Sequence, residues 1–172
     1  MDASPAINDV SDHQRGSGRA LGIDYGRKRI GLALSDASGQ LARPWKVMAR
    51  IGNPTQVAAA LAGEVRALAD GDEVVGVVVI GYPRRLSGEA NEQTAAVQTL
   101  ADRLQKLLTV PVVLQDERLS SHEAEELLAR REKDWRKRKL QLDAMSAAVI
   151  LQDYLDTGGT TPAGTGTEDV KT

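Results

Sequence analysis

The chain has 172 residues, 41% of them apolar and 27% charged, with a formal net charge of −2. That suits one globular domain and leaves no apolar run long enough for a membrane span. With no cysteine and only His13 and His122, disulfides, iron–sulfur clusters and thiol nucleophiles are excluded, a histidine-rich zinc site is disfavoured, and any metal must sit on oxygen.

Residues 1–19 mix Ser, Asp, Gly and Pro without periodicity and contain no signal-peptide core, so a disordered tail and a cytoplasmic location are expected. Residues 157–172 are rich in Gly and Thr and read as a second disordered tail. The folded domain is expected over residues 20–156.

Within it, Leu21, Ile23 and Tyr25 alternate with Ala20, Gly22 and Asp24. After a turn at Gly26-Arg27-Lys28, Ile30, Leu32 and Leu34 alternate with Gly31, Ala33 and Ser35, which completes a β-hairpin. A third strand is expected over Pro44–Arg50, at an edge that tolerates the proline. Asn53-Pro54-Thr55-Gln56 then opens a capped helix with Val57, Ala60, Leu61, Val65 and Leu68 inward. Val74–Ile80 is apolar except for Gly76, as in a parallel strand covered on both faces.

Val97, Leu100, Ala101, Leu104, Leu107 and Leu108 mark a second helix, and Val112–Gln115 a short strand. Ser120 and Glu123 form the capping box of a third helix, with Ala124, Leu127 and Leu128 inward. A last helix is expected over Gln141–Leu155. The order β-β-β-α-β-α-β-α-α predicts an α/β ribonuclease H-like fold. Its mixed five-stranded sheet has three antiparallel strands followed by parallel ones, with helices on its flanks. Ligands of such a sheet collect at the carboxyl ends of its parallel strands.

Asp24 interrupts the first apolar strand near that edge. An acid there is costly unless it is paired or holds a metal, and Arg27 or Arg29 is near enough in sequence to neutralise it. Asp116 and Glu117 follow the last short strand at the same edge. Asp143 shares a helical stripe with Ala147, Ile150, Leu151 and Tyr154, while Ala144, Ala147 and Ala148 allow that helix to approach the sheet closely. Each acid alone has an ordinary explanation: an ion pair for Asp24, a favourable helix dipole for Asp143, solvation for Asp116 and Glu117. Convergence of three segments on one edge favours a functional site.

Four stretches, "GIDYGRKRIGLALSD", "VVIGYPRRLSGE", "QDERLSS" and "LDAMSAAVIL", resemble the YqgF family of pre-16S rRNA nucleases and Holliday junction resolvase-like proteins over about Leu21–Leu155. The resemblance implies that Asp24, Glu117 and Asp143 are the catalytic acids, with Asp116 the alternative neighbour. Where relatives typically read Gly-Leu-Pro-Leu-Asn, this chain has Gly81-Tyr82-Pro83-Arg84-Arg85. Phosphodiester hydrolysis uses divalent ions to stabilise charge on the attacking and leaving oxygens, and Mg²⁺ or Mn²⁺ prefers carboxylates. Two ions are expected, with Asp24 bridging them, Glu117 and Asp143 holding one each, and Arg118 at the scissile phosphate.

The run Arg130–Lys139, "RREKDWRKRK", carries seven basic and two acidic residues, and Arg84-Arg85 adds two more bases near the active edge. Lys28, Arg29, Arg84, Arg85, Arg118, Arg136, Lys137 and Arg138 are therefore expected to meet nucleic-acid phosphates. Trp135 either stacks on a base or covers a gap in the core. Ser87 and Gly88 suit a phosphate-facing loop or an ordinary turn.

These observations predict a divalent-metal-dependent nuclease acting on structured nucleic acid, and the family resemblance implies that the substrate is RNA in ribosomal precursor processing. Resolution of four-way DNA junctions is the alternative, and symmetric cutting of a junction requires a homodimer. Two further classes are a non-catalytic nucleic-acid-binding module and an actin-like ATP-binding unit, in which Asp-x-Gly turns cradle phosphates. The chain is too short for the two-domain cleft of the latter.

Overall fold

The computed structural model describes residues 18–83, 92–116 and 135–158, with the side chains of 135–140 left aside. Strands β1 (Arg19–Tyr25) and β2 (Arg29–Ser35) form the expected hairpin, and β3 (Ala42–Ala49) pairs antiparallel to β2. Helix α1 (Pro54–Asp70) follows, then β4 (Val75–Tyr82), α2 (Glu92–Leu107), β5 (Val112–Asp116) and α3 (Trp135–Asp156). The sheet order is β3-β2-β1-β4-β5, with β1, β4 and β5 parallel. This is the arrangement expected of the ribonuclease H-like order, with β1 central and next to β4.

The α1 cap forms as its sequence requires. The Asn53 side chain accepts from the Gln56 amide at 3.0 Å, and the Gln56 side chain accepts from the Asn53 amide at 2.9 Å. The helix buries Val57, Ala58, Leu61 and Ala62, whereas Ala60, expected inward, is exposed. The inward stripe is centred nearer Ala58, because Ala58 lies three residues from Leu61 and four from Ala62, the spacings that share a helical face. Leu107, also expected inward, is exposed where α2 ends, and Val74 is exposed just before β4.

Strand alternation divides the core into two layers. Leu21, Ile23, Tyr25, Ile30 and Leu32 pack with α1 and α2, through Val57, Leu61, Val97, Leu100 and Leu104. On the opposite face Ala20, Ala33, Val77 and Val79 pack with Ala147, Ala148, Ile150, Leu151 and Tyr154 of α3. Burial of a side chain the size of Ile150 or Leu151 contributes about 1.5–3 kcal/mol.

Small residues let α3 lie close against the sheet. A Cβ on Gly22 would stand 2.8 Å from Leu151 Cβ and 2.9 Å from the Ala147 carbonyl oxygen. Helix α3 begins at Trp135, earlier than the expected Gln141, so the end of the basic run is helical. The expected third helix at Ser120–Leu128, the loop containing Ser87 and Gly88, and most of both tails lie outside the described residues.

Candidate active site

Asp24 is the penultimate residue of β1 and, like Gly22, faces α3. Its partner across the hairpin ladder is Gly31. A Cβ on Gly31 would overlap the Asp143 carbonyl, so the absence of a side chain there allows the α3 backbone to seat against β2. That close approach brings Asp143 to Asp24. Asp143 lies more than two turns into α3, so the helix N-terminal dipole does not account for it.

Of the two carboxylates, Asp143 holds the guanidinium of Arg29. Arg29 Nε lies 2.9 Å from Asp143 Oδ2, and both side chains are about a quarter to a third exposed (30% and 26%). The alignment makes an ion pair without a hydrogen bond, and Oδ2 is buried with no hydrogen-bond partner. Asp24 is half-buried beside it. Burial, and then the negative charge of Asp143, push the Asp24 carboxyl up to about 6. Of the two neutralisation partners proposed for Asp24, Arg29 is engaged by Asp143 instead, which also limits its expected role at phosphate.

The turn after Asp24 is braced from the other face of the sheet. Arg50 lies over the Tyr25 ring, 4.0 Å from its centroid, and its Nη1 donates to the Gly26 carbonyl at 3.0 Å. The Gln93 side-chain amide donates to the Tyr25 carbonyl. Arg27, Arg50, Gly52, Glu92, Gln93 and Ala96 line an open cleft of about 480 Å³ on this side. Lys28 and Arg27 are exposed in the turn itself.

At β5 the two neighbouring polar residues face opposite ways. Asp116 follows the parity of Val112 and Leu114, which pack with the α1 and α2 layer. Gln115 follows Val113, which packs with α3, and so shares the face of Asp24. Asp116 ends its strand at the expected edge but on the face away from Asp24. Glu117, Arg118, Arg84 and Arg85 lie outside the described residues. Trp135, Arg136, Lys137 and Arg138 open α3, with side chains likewise outside the description. Among the described residues Asp24 and Asp143 come together, and no group of three or more His, Cys, Asp or Glu able to hold a metal forms.

Arg50 and Gln115 were not among the residues singled out from the sequence. The signal for Gln115 was a polar residue at a period-two position that strand parity buries. Arg50 carried no comparable signal, because two strands of chain, β2 and β3, separate it from Tyr25.

The RuvX family, described as Holliday junction resolvase, matches residues 18–157. A relative from Syntrophus aciditrophicus, named as a pre-16S rRNA nuclease, is 41% identical over 138 residues, covering 80% of this chain and 88% of its own. A Chloroflexus aurantiacus relative with the same name is 38% identical over 142 residues, or 83% of this chain and 89% of its own. The structure of T. thermophilus RuvC in complex with Holliday junction substrate aligns with a TM-score of 0.47 at 16% identity, over 83% of this chain and 97% of that one. The family match spans the strand that carries Asp24 and the helix that carries Asp143, and the chain belongs to the RuvX family, the YqgF group its motifs resemble.

Proposed function

We propose that the protein is a divalent-metal-dependent nuclease that hydrolyses phosphodiester bonds of structured RNA, in 5′-end processing of pre-16S rRNA. The observation that carries this reading is the meeting of Asp24 and Asp143 at the carboxyl edge of β1, close enough that the charge of Asp143 raises the Asp24 carboxyl although Arg29 is paired with Asp143. Two half-buried carboxylates side by side repel each other, and an oxygen-only donor set suits a hard cation such as Mg²⁺ or Mn²⁺. Asp143 Oδ2 is buried and makes an ion pair with Arg29 but no hydrogen bond, so it keeps acceptor capacity for such a cation.

Asp24 and Asp143 would hold the metal, and Glu117 is the third ligand we propose, since Asp116 belongs to the opposite face. When bound, divalent ions supply Lewis-acid stabilisation of the charge that develops on the attacking and leaving oxygens. The chain's own part is to fix the acids on rigid elements: Asp24 on the central strand and Asp143 on a helix seated on Gly22 and Gly31. Arg29 holds the Asp143 carboxylate. Lys28, Arg84, Arg85, Arg118, Arg136, Lys137 and Arg138 supply positive charge for the phosphates, and Trp135 a stacking surface.

The names of the curated relatives favour ribosomal RNA as the substrate, and the family's description favours a second reading, four-way DNA junctions. A side-by-side cleavage assay on 5′-extended 16S precursor RNA and on a four-way DNA junction, with Mg²⁺ or Mn²⁺, separates them. The expected result is metal-dependent cleavage of the precursor that is lost in Asp24→Asn. Failure to cleave either substrate would reduce the protein to a binding module.

A further inference from the structure

Gln115 is 94% buried by its 6% exposure, and its side-chain oxygen makes no hydrogen bond. An unsatisfied buried amide oxygen is destabilising, a cost that an apolar side chain at the same place would avoid. Its position suggests what the oxygen serves. Gly81 pairs with Gln115, and one step beyond the Ile23–Ile80 pair Gly81 reaches the level of Asp24. Gly31, Asp24, Gly81 and Gln115 thus form one row across four strands.

All four face α3, and the two glycines leave Asp24 and Gln115 as the side chains of that row. With strands about 4.8 Å apart, their Cα atoms stand about 10 Å from each other. Gly81 puts nothing between them. Asp24 and Gln115 are thus the two oxygen-bearing side chains of this row, separated only by a residue without a side chain.

We propose that Gln115 is a positioning residue for the divalent-cation site of Asp24 and Asp143, its amide oxygen accepting a hydrogen bond from the cation's hydration shell. This rests on the metal-dependent reading above. A neutral acceptor adds no repulsion to the two carboxylates, and it orients water on the side of the site that β4 leaves open. Outer-shell partners of this kind typically change metal affinity by about 10- to 100-fold.

The test titrates Mn²⁺ by electron paramagnetic resonance into the full chain and into Gln115→Met, Gln115→Glu and Asp24→Asn, with melting temperatures measured in EDTA. Gln115→Met keeps the volume and removes the acceptor. It is expected to melt in EDTA no lower than the parent and to bind Mn²⁺ about 10- to 100-fold more weakly. A merely structural Gln115 would shift the metal-free melting temperature and leave the Mn²⁺ Kd unmoved; an unmoved Kd overturns the inference. If Gln115→Met does not fold, the isosteric Gln115→Glu decides, with Mn²⁺ binding at least as tight as the parent's expected and weaker binding overturning it. Loss of Mn²⁺ in Asp24→Asn beside normal binding in Gln115→Met sinks this inference alone. A parent chain that binds no Mn²⁺ overturns the nuclease reading and this inference with it.

Discussion

Gly31 and Asp143 touch through their backbones: a Cβ on Gly31 would overlap the Asp143 carbonyl, and Gly31 is also the ladder partner of Asp24. One missing side chain therefore sets how near the two acids come.

Gly31→Ala is expected to push α3 off β2. Overpacking a tight core costs about 1–3 kcal/mol, and here the obstacle is backbone, so the upper end applies. Urea denaturation should show that loss, and Mn²⁺ binding should weaken because Asp143 moves with the helix. Stability and Mn²⁺ affinity equal to the parent's would show that the contact does not set the acid spacing.

Asp24→Asn should abolish cleavage and stabilise the metal-free protein at pH 8. The folded-state value of Asp24, about 6, lies above the ordinary 3.8, so the native state holds this proton more tightly than the unfolded chain. Its contribution to stability is full below about 3.8 and is lost as pH rises through 6. The difference amounts to about 3 kcal/mol at most. In EDTA, the stability gap between Asp24→Asn and the parent should open between pH 4 and pH 7. A gap independent of pH would mean that Asp24 is not held in this environment.

Arg29→Gln removes the cation that Asp143 uses. Exposed pairs contribute about 0–1 kcal/mol and breaking buried ones costs about 3–5 kcal/mol, so this partly exposed pair should cost about 1–2 kcal/mol at pH 8. Mn²⁺ should restore more stability to this variant than it adds to the parent, since the ion replaces the lost charge. Equal Mn²⁺ shifts in the two melting curves would separate Arg29 from the metal site.

Replacing Arg136, Lys137, Arg138 and Lys139 with Gln tests the basic start of α3. If all four meet phosphates, the logarithmic salt slope of duplex binding should shrink by at most about 3.6, from roughly 0.9 per contact. Single-turnover cleavage at saturating enzyme should change little. An unaltered slope would make this run a solvated helix end.

The sequence by itself determined the order of the described strands and helices, the two-residue alternation of β1 and β2, the Asn53 cap and the small-residue stripe of α3. Each is a local pattern whose period states which face is buried. Asp24 and Asp143 were legible for the same reason, as acids standing where those periods demand apolar or small residues. Glu117 and Arg118 rest on the family resemblance, and they lie beyond the described residues.

Only the tertiary structure decided that Arg29 pairs with Asp143 and not with Asp24, because that choice depends on where α3 docks. It also placed Asp116 on the face away from Asp24 and Gln115 on the same face, which strand register controls. The start of α3 at Trp135 likewise removed the helix-dipole explanation for Asp143. Partners chosen across 100 or more residues leave no periodic trace in the chain; they follow from the contact of Gly22 and Gly31 with the helix backbone.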